Sequence, residues 1–379
     1  MKIVYVYDAL ALYGGIERIL IEKMNYLSQL PNYQIYIITT NQGNHPISFP
    51  LLPEVEHIDL NIRFHTKYQY KLLRRLYYSH KLNKLFKKRL KECIDKINPD
   101  IIVATTTHFA NTIIKLPCNA KKVIECHLSR KKSEINCNKA YYKIKTYKEK
   151  RQEKQIMKAD ALVVLTQASA NEWELIKRAT IIPNMVKQPS VQSSTSIPKR
   201  IITVGRLEYQ KGIDRLINAW EHVYKKHPNW KLDIFGEGSL KLMLTEMIHS
   251  KNLSNVITIH PPTNQIFDEY IKSYIYVMSS RFEGLPLVLI EAMSCGVPCI
   301  SFDCPNGPNE IIKDKEDGIL VENDNIEKLA EAINYLIEHE DIRKKMSEKA
   351  ITNTERYRPE NIIPIWKQLF ENIIINTKK

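Results

Sequence analysis

The amino-acid sequence predicts an α/β protein made of two successive doubly wound units. The chain has 379 residues, more than one ordinary core needs. Short β-branched apolar runs alternate with stretches of helical periodicity, and such alternation favours parallel strands with helices on both faces of the sheet. The alternation stops at residues 181–200, IIPNMVKQPSVQSSTSIPKR, and then starts again. Because that stretch is rich in Pro, Ser and Thr, we expect it to link two domains.

Each half contains five apolar runs that we interpret as strands. In the first half, helical stretches separate them, the clearest at 67–96 and 138–158. The chain closes on an amphipathic helix, PENIIPIWKQLFENIIINTKK. The predicted strands are 3–6, 33–39, 100–106, 122–126 and 161–166, then 200–207, 230–238, 255–261, 274–280 and 297–303.

Composition is typical of a soluble globular protein, with 44% hydrophobic and 26% charged residues. No apolar run reaches the roughly 18–20 residues of a membrane span. The N-terminus MKIVYVYDAL resembles a strand more than a signal peptide, so we expect a cytoplasmic protein. Seven cysteines form no C-x-x-C pair, which favours buried free thiols over a metal site or disulfides.

Positive charge is concentrated in the first half of the chain. Residues 1–190 hold 32 Lys and Arg against 16 Asp and Glu, a balance of +16, whereas residues 191–379 hold 24 against 26, a balance of −2. Residues 60–91 carry 11 Lys and Arg and no acid. Such a surface attracts nucleic acid, anionic lipid or an acidic substrate.

In open α/β sheets, ligands bind beyond the carboxyl ends of the strands, so the loops after strands are candidate sites. YGGIER follows the first strand. Gly14 and Gly15 would let the backbone approach a ligand and start a helix whose N–H groups hold an anion, although a plain tight turn is an equal alternative. The stretch lacks the G-x-G-x-x-G of a dinucleotide fingerprint.

Two further loops carry basic or titratable side chains. VGRLEYQKG follows the first strand of the second half, and its Arg206 and Lys211 would suit a diphosphate; the alternative is a solvated basic loop. In ECHLS, His127 follows a strand directly. A histidine there suits proton handling or neutral hydrogen bonding, but a structural role is an open alternative.

The most informative stretch is SRFEGLPLVLIEAMSCGVP, residues 280–298. Pro286 is predicted as the first residue of a helix, which places Glu283 before the helix and Glu291 on its second turn. The N–H groups of Gly284, Leu285 and Leu287 would point out of the helix end.

Paired carboxylates accept hydrogen bonds from vicinal hydroxyls, whereas phosphates favour cations. A ligand that touches Arg206, Lys211 and both glutamates should therefore carry phosphates and several hydroxyls, as a nucleotide-linked sugar does. The alternative is one surface acid and one capping or salt-bridged acid, which the apolar helix makes less favourable.

These stretches together resemble the retaining glycosyltransferases of family 4, which have the GT-B fold. SRFEGLPLVLIEAMSCGVP resembles the E-x7-E signature of that family, VGRLEYQKG its phosphate loop, and YGGIER its N-domain glycine loop. IIPNMV, DCPNGPNEII and DGILV are similar to later segments, in the same order along the chain.

The resemblance implies two Rossmann-like domains that face a central cleft. They would be an acceptor-binding domain over 1–185 and a nucleotide-sugar-binding domain over 186–360, with a C-terminal helix, 361–379, that packs back on the first. It further implies that Arg206 and Lys211 bind the donor diphosphate.

The remaining roles also follow from the resemblance. Glu291 would hold the ribose hydroxyls, and Glu283 with the backbone at Gly284 and Leu285 would hold the donor sugar. Gly14 and Gly15 would lie at the phosphate–sugar region, and His127 would contact the sugar near its reacting carbon. The base would lie near His260 and Pro261, where the family often has glycine.

The resemblance implies transfer with retention, without a metal or other cofactor; no D-x-D motif is present. The donor would be UDP-linked, and the acceptor would be a lipid-linked saccharide in cell-surface polysaccharide or lipopolysaccharide synthesis. A phosphorylase or epimerase of the same fold is the first alternative, and a basic nucleic-acid-binding protein is the second.

Aromatic and aliphatic residues interleave with Lys and Arg over 67–81, which suits the surface of an anionic membrane. We therefore expect peripheral attachment to the inner face of the plasma membrane rather than nucleic-acid binding. The alternative for this segment is a basic helix packed on the sheet.

Overall fold

The computed structural model describes residues 1–105, 107–127, 151, 153–172, 179–188 and 199–375. By contacts between Cα atoms the chain divides into two units. The first comprises Met1–Met185 and Ile362–Lys379, and the second comprises Val186–Asn361. Each unit contains one parallel sheet, so the predicted α/β class with two Rossmann-like units is confirmed.

The first unit is built on a seven-stranded parallel sheet of order β3-β2-β1-β4-β5-β6-β7. Its inner strand Lys2–Tyr7 is apolar after Lys2 because helices cover both faces; Ile3 to Val6 are completely buried. The strands are β1 Lys2–Tyr7, β2 Gln34–Thr39, β3 Val55–Asp59, β4 Ile101–Ala104, β5 Lys121–Cys126, β6 Ala161–Val164 and β7 Ala179–Ile181.

Helices pack on each face of this sheet. Helix α1 (Gly15–Ser28) and the last helix, Pro359–Ile375, bury Met24, Trp366 and Phe370 against one face. Helix α2 (Leu72–Ile97) buries Phe86 and Leu90 against the other. The remaining described helices of this unit are the 3-10 helix Phe64–Gln69 and the α-helices Thr107–Ile114 and Gln167–Asn171.

The second unit has a six-stranded parallel sheet of order β10-β9-β8-β11-β12-β13. Its strands are β8 Arg200–Val204, β9 Lys231–Phe235, β10 Ile257–His260, β11 Ile275–Met278, β12 Cys299–Phe302 and β13 Gly318–Val321. Its α-helices are Ile213–Lys226, Lys241–Ser250, Ile266–Ile271, Leu287–Ser294, Pro308–Ile311, Ile326–Glu338 and Glu340–Thr354, with 3-10 helices Tyr209–Lys211 and Glu355–Tyr357.

The strand order of the second sheet reverses at its middle. β8 has β9 on one side and β11 on the other. The chain therefore continues from β8 to β9 on one side of this point and from β11 to β12 on the other side. A crevice opens at such a switch point, outside the carboxyl ends of the strands. The loops that follow β8 and β11 therefore meet there.

Several predicted boundaries are wrong. The predicted linker begins at Ile181, the last residue of β7. Ile182, Met185 and Val186 are buried because the apolar side chains of IIPNMV pack in the interior. Residues 189–198 of the linker and most of the predicted helix 138–158 lie outside the described residues.

Two predicted helix starts differ as well. Helix α2 begins at Leu72 rather than at 67, because Tyr70 is extended after a separate 3-10 turn. Pro286 is the residue before its helix, not the first residue in it. Strands β3, β7 and β13 were not predicted; each is an edge strand of its sheet and only partly buried. In the described part of the chain, no helix is long and apolar enough to cross a membrane.

Candidate functional site

The loops after β8 and β11 are joined by an ion pair between Lys211 and Glu283. Lys211 Nζ lies 2.7 Å from Glu283 Oε1, and the two side chains are 16% and 7% exposed. The Ser280 hydroxyl donates to the same oxygen at 2.6 Å. The structure thus brings together two of the predicted site residues at the switch point, where a ligand's charges and hydroxyls could replace this contact.

Arg281 fixes these two loops relative to each other. Its guanidinium donates two parallel hydrogen bonds to Asp214, at 2.9 and 2.6 Å, and a third to the carbonyl of Tyr209 at 2.8 Å. It also stacks 4.0 Å from the centre of the Tyr209 ring. Burial raises the pKa of Asp214, but the hydrogen bonds and charge of Arg281 outweigh it and leave that pKa below its ordinary value.

Arg206 lies on the same loop as Lys211 and is exposed. Its guanidinium donates to Gln210 Oε1 at 3.1 Å, and the Gln210 amide donates to the carbonyl of Phe282 at 3.0 Å. The loops after β8 and β11 are therefore linked a second time, beside the pair of Lys211 and Glu283. Both predicted phosphate-binding cations belong to this linked pair of loops.

Two glycines allow the backbone segments at this edge to touch. Gly212 has φ +62°, and a Cβ there would lie 2.1 Å from the carbonyl oxygen of Ser279. A Cβ on Gly236, after β9, would lie 1.9 Å from the carbonyl oxygen of Gly205. Any larger residue would push the loops apart.

Glu291 lies on helix Leu287–Ser294 and is 4% exposed. Its Oε2 accepts a hydrogen bond of 3.2 Å from the Tyr270 hydroxyl. A buried carboxylate needs such partners. Glu283 lies before this helix and Glu291 lies on its second turn, as the sequence predicts.

The loop after β12 packs against the segment that contains Gly284. The N–H of Glu283 donates to the carbonyl of Pro305 at 3.2 Å. Gly307 has φ +100°, and a Cβ on it would lie 2.7 Å from the carbonyl oxygen of Gly284. Leu285, the next residue, is buried. The close approach of Gly307 to Gly284 thus holds the backbone of the predicted sugar-binding segment in place.

His260 and Pro261, the predicted base-binding residues, follow β10. His260 Nε2 lies 2.8 Å from Asp233 Oδ1, and its ring stacks 4.6 Å from that of Phe235. Pro261 is exposed. His260 thus makes its contacts with β9, and nothing in this geometry brings it to Lys211 or Glu283.

The glycine loop of the first unit has a carboxylate of its own. Gly14 precedes α1, and a Cβ on it would lie 2.2 Å from Glu17 Oε2. Glu17 is buried and accepts a 2.9 Å hydrogen bond from the Tyr7 hydroxyl, whose pKa is raised by burial and then by Glu17. A side chain at position 14 would therefore displace the Glu17 carboxylate, while Gly15 begins the helix.

His127 follows β5 and its side chain is 5% exposed. Its Nε2 lies 3.0 Å from Glu125 Oε2, and the other oxygen of Glu125 pairs with Lys23 of α1. His127 Nδ1 is buried and has no hydrogen-bond partner among the described residues.

Across the residues that the structure describes, no group of three or more His, Cys, Asp or Glu is arranged to hold a metal ion. The described cysteines are free thiols, as predicted. Burial, and then Glu283, raises the pKa of the Cys304 thiol to about 12, so this thiol stays neutral beside the ion pair.

Comparison with known proteins decides the family. The model of the family "Glycosyl transferases group 1" matches residues 187–353, which contain both loops of the ion pair. An uncharacterized glycosyltransferase of Haemophilus influenzae is 30% identical over 361 residues, 93% of this chain and 95% of that protein. The chain belongs to the group 1 glycosyltransferases.

Other relatives of this glycosyltransferase have more specific names. One, from Campylobacter jejuni, is a GalNAc-alpha-(1->4)-GalNAc-alpha-(1->3)-diNAcBac-PP-undecaprenol alpha-1,4-N-acetyl-D-galactosaminyltransferase, 27% identical over 370 residues, 95% of this chain and 96% of the relative. A variant of Staphylococcus aureus TarM, solved with UDP among its ligands, shares the fold with a TM-score of 0.80 at 19% identity, over 97% of this chain and 99% of TarM.

Sequence reasoning missed the residues that hold the glycosyltransferase's loops in place. Ser280, Arg281 and Tyr270 each contact a predicted site residue or its loop. Asp214 accepts hydrogen bonds from Arg281, and Glu125 contacts His127. Ser280 and Arg281 lie three and two residues before Glu283, in the stretch already singled out. The partners Asp214 and Tyr270 are distant in sequence, and no local pattern marks them.

Proposed function

We propose that the protein is a retaining glycosyltransferase that moves a hexose or N-acetylhexosamine from a UDP-linked donor to a saccharide acceptor. The observation that carries the proposal is the ion pair of Lys211 and Glu283 at the switch point of the second sheet. A cation and a carboxylate side by side match a ligand with a phosphate next to a hydroxyl-bearing sugar.

On this proposal, the donor replaces the contact between the two side chains. Lys211 and the exposed Arg206 bind the diphosphate, and Glu283, held by Ser280, accepts hydrogen bonds from sugar hydroxyls. Glu291 accepts from the ribose hydroxyls. The buried position of both glutamates keeps water from competing for these hydrogen bonds.

The chemical step breaks the bond between the anomeric carbon and the diphosphate oxygen and forms one to the acceptor oxygen. Two cations stabilise the charge that develops on the departing diphosphate, which is the larger part of what such a site supplies. With retention, the acceptor hydroxyl attacks from the face that the diphosphate leaves, and its proton passes to a departing phosphate oxygen. No metal is part of this proposal.

The comparisons favour UDP and a lipid-linked acceptor. The TarM variant was solved with UDP, and the C. jejuni relative is named for a saccharide on undecaprenyl diphosphate. We therefore propose a role in cell-surface polysaccharide or lipopolysaccharide synthesis.

We further propose that the start of α2 docks on the anionic inner face of the plasma membrane. Leu72, Leu73 and Leu76 are 72%, 82% and 61% exposed, and Tyr68 and Tyr77 are exposed beside them. Phe86, Leu90, Ile94 and Ile97 pack in the core, so the alternative of a packed basic helix describes only the later turns. Apolar side chains surrounded by Lys and Arg suit an anionic interface.

A thermal-shift screen of nucleotides and nucleotide sugars tests the proposal. A ligand that binds only the folded state raises stability by RT ln(1 + [L]/Kd), so UDP and one or more UDP-sugars should raise the melting temperature, whereas GDP should not. Incubation of that UDP-sugar with acceptors then separates a transferase from a phosphorylase or epimerase, because only a transferase forms a new glycosidic bond between donor sugar and acceptor.

A further inference from the structure

Tyr276 places a hydroxyl inside β11, an otherwise apolar strand at the switch point of the second sheet. Its side chain is completely buried. A buried tyrosine hydroxyl needs a partner, and this one donates a hydrogen bond of 3.3 Å to the carbonyl of Val204, the last residue of β8. Burial raises the pKa of Tyr276 well above its ordinary value, and the carboxylates of Glu283 and Glu291 raise it further, so the hydroxyl keeps the proton that it donates.

The carbonyl that accepts this hydrogen bond lies where two neighbouring strands part. The pairing of β8 with β11 ends at Ile202 and Tyr276, whereas β8 stays paired with β9 as far as Val204. β8 therefore continues for two residues beyond its pairing with β11, at the crevice of the switch point. The Tyr276 hydroxyl reaches across the opening and ties the end of β8 to β11.

The end of β8 in turn supports Lys211. Gly205 follows Val204, and the aliphatic stem of Lys211 lies against it so closely that a Cβ on Gly205 would be 3.3 Å from both Cγ and Cδ of the lysine. A shift of Val204 would therefore move the backbone on which the lysine stem rests. The ammonium at the end of that stem is the group that pairs with Glu283.

The ring of Tyr276 also contacts the residue that holds the second glutamate. It packs edge-on against the Tyr270 ring, with centroids 5.8 Å apart and planes at 75°. Tyr270 is completely buried too, and its hydroxyl donates to Glu291 Oε2 at 3.2 Å. Because protein interiors are close-packed, these rings hold each other in place. The two tyrosines thus form one buried support that touches the start of the Lys211 loop and the helix of Glu291.

We infer that Tyr276 is a positioning residue for Lys211: its hydroxyl fixes the end of β8, from which the loop that carries the lysine starts. The inference rests on the proposed function for the identity of the ligand, a UDP-linked donor. A phenylalanine at position 276 would keep the ring contacts and lose only the link to Val204. Lys211 would then be held less firmly, and more of its freedom would be lost when a diphosphate binds.

Hydrogen–deuterium exchange of the protein without ligand tests the link itself. In Tyr276→Phe, the amides of residues 204–212 should exchange at least about threefold faster than in the parent, because local opening no longer breaks this hydrogen bond. Tyr274→Phe is the matched control, the same change two residues earlier on a ring that packs on Trp230 and Arg343. The control should leave the exchange of that segment unchanged. Equal exchange in Tyr276→Phe and the parent overturns the inference.

Affinity for UDP tests the consequence at Lys211. Tyr276→Phe should bind UDP at least about fivefold more weakly than the parent, in line with the loss of one neutral hydrogen bond. In a Lys211→Met background, the same change should alter the affinity less than about twofold, because a positioning residue acts through the group that it positions. A tyrosine that only stabilises the fold would give the same loss in both backgrounds, and that result also overturns the inference.

The two measurements separate this inference from the proposed function. A parent that binds UDP, with a Tyr276→Phe variant of equal affinity, overturns the role of Tyr276 and leaves the glycosyltransferase proposal standing. A parent that does not bind UDP overturns the proposed donor, while hydrogen exchange still decides whether Tyr276 fixes the end of β8.

Discussion

Lys211 and Glu283 lie 72 residues apart in the chain and 2.7 Å apart in the structure. They reach each other because β8 and β11 are neighbours at the point where the strand order of the second sheet reverses. The pair neutralises two largely buried charges, and on the proposed function a ligand with complementary charge displaces it. Its place in the fold explains why a basic loop and an acidic segment, each unremarkable alone, form one site.

Breaking this pair from one side should cost stability as well as activity. Lys211→Met leaves the buried Glu283 carboxylate with the hydrogen bond from the Ser280 hydroxyl, and removal of one member of a buried pair typically costs about 3–5 kcal/mol, less where solvent reaches it. A Lys211→Met/Glu283→Gln double variant should regain most of that stability. Urea unfolding measures the stability of the single and the double variant. Lys344→Met, which breaks an exposed surface pair, is the control and should change neither stability nor activity. Equal loss in the single and double variants would contradict a compensating pair.

The contact of Arg281 with Asp214 should make stability depend on pH in the acid range. The pKa of Asp214 is lowered in the folded state, so the unfolded chain takes up a proton at a higher pH than the folded chain does. The contribution is complete above the ordinary value of 3.8 and is lost as the pH falls through the lower folded value. The gap in melting temperature between the parent and Asp214→Asn should therefore be widest near pH 6 and shrink toward pH 3.

Arg281→Met supplies the control for that measurement. In this background, Asp214→Asn should change the pH dependence little, because the partner that lowers the pKa has gone. Arg281→Met alone should also slow transfer, since the loops that carry Lys211 and Glu283 lose their link. A pH dependence that persists in the Arg281→Met background would assign it to other groups.

Gly236→Ala should weaken both folding and nucleotide binding. The new Cβ would lie 1.9 Å from the carbonyl oxygen of Gly205, so the loops after β8 and β9 must separate, at about 1–3 kcal/mol for an over-packed site. Gly43→Ala is the matched control: its φ is +55°, and no atom lies within 4 Å of the new Cβ. The control should lose about 1 kcal/mol from its left-handed backbone and keep UDP binding. Unchanged UDP affinity in Gly236→Ala would show that the contact between the loops after β8 and β9 does not shape the binding site.

Glu291 can be tested with the ligand as well as the protein. If its carboxylate accepts from the ribose, the parent should bind UDP more tightly than 2′-deoxy-UDP, by roughly the 1.5–3 kcal/mol of a charged hydrogen bond. Glu291→Gln should reduce that preference, and Tyr270→Phe should reduce it less, because the phenol only supports the carboxylate. Titration calorimetry gives the six affinities, of three proteins for two ligands. A preference that survives intact in Glu291→Gln would place the ribose elsewhere.

The proposed membrane surface predicts a selective loss of vesicle binding. Replacing Leu72, Leu73 and Leu76 by Ser removes three exposed apolar side chains and should lower partition onto phosphatidylglycerol vesicles at least about tenfold. Leu242→Ser, equally exposed in the second unit, should change it little. Flotation with neutral phosphatidylcholine vesicles measures binding without charge attraction, so the difference from phosphatidylglycerol vesicles gives the part due to charge. Equal binding to both lipids, or to neither, would contradict an electrostatic docking surface.

The fold and the positions of the main candidate residues could be predicted from local patterns. Alternating strands and helices dictate parallel sheets, and in such sheets the loops after strands hold the site, which singled out Lys211, Glu283 and Glu291 before any coordinates. Ends of elements were less predictable: Tyr70 interrupts a helical pattern, and Ile182 and Met185 are buried inside a stretch whose composition indicates a linker.

The supporting residues could not be predicted, because their contacts join distant parts of the chain. Nothing near Asp214 announces Arg281, 67 residues away, and Glu125 meets Lys23 across 102 residues. The glycine loop shows the same limit: its pattern does not mark Glu17, whose carboxylate lies against Gly14. Which strands become neighbours decides such contacts, and that is a property of the whole sheet.

Turnover of the Lys211→Met/Glu283→Gln double variant tests the central claim most directly, because its fold should be preserved. With the UDP-sugar selected by thermal shift and a saccharide acceptor, the parent should form a glycosidic product. The double variant should form it at least about a hundredfold more slowly, since it lacks a cation that stabilises the departing diphosphate. A folded double variant that forms product at the parent's rate would show that the loops after β8 and β11 do not hold the reacting donor.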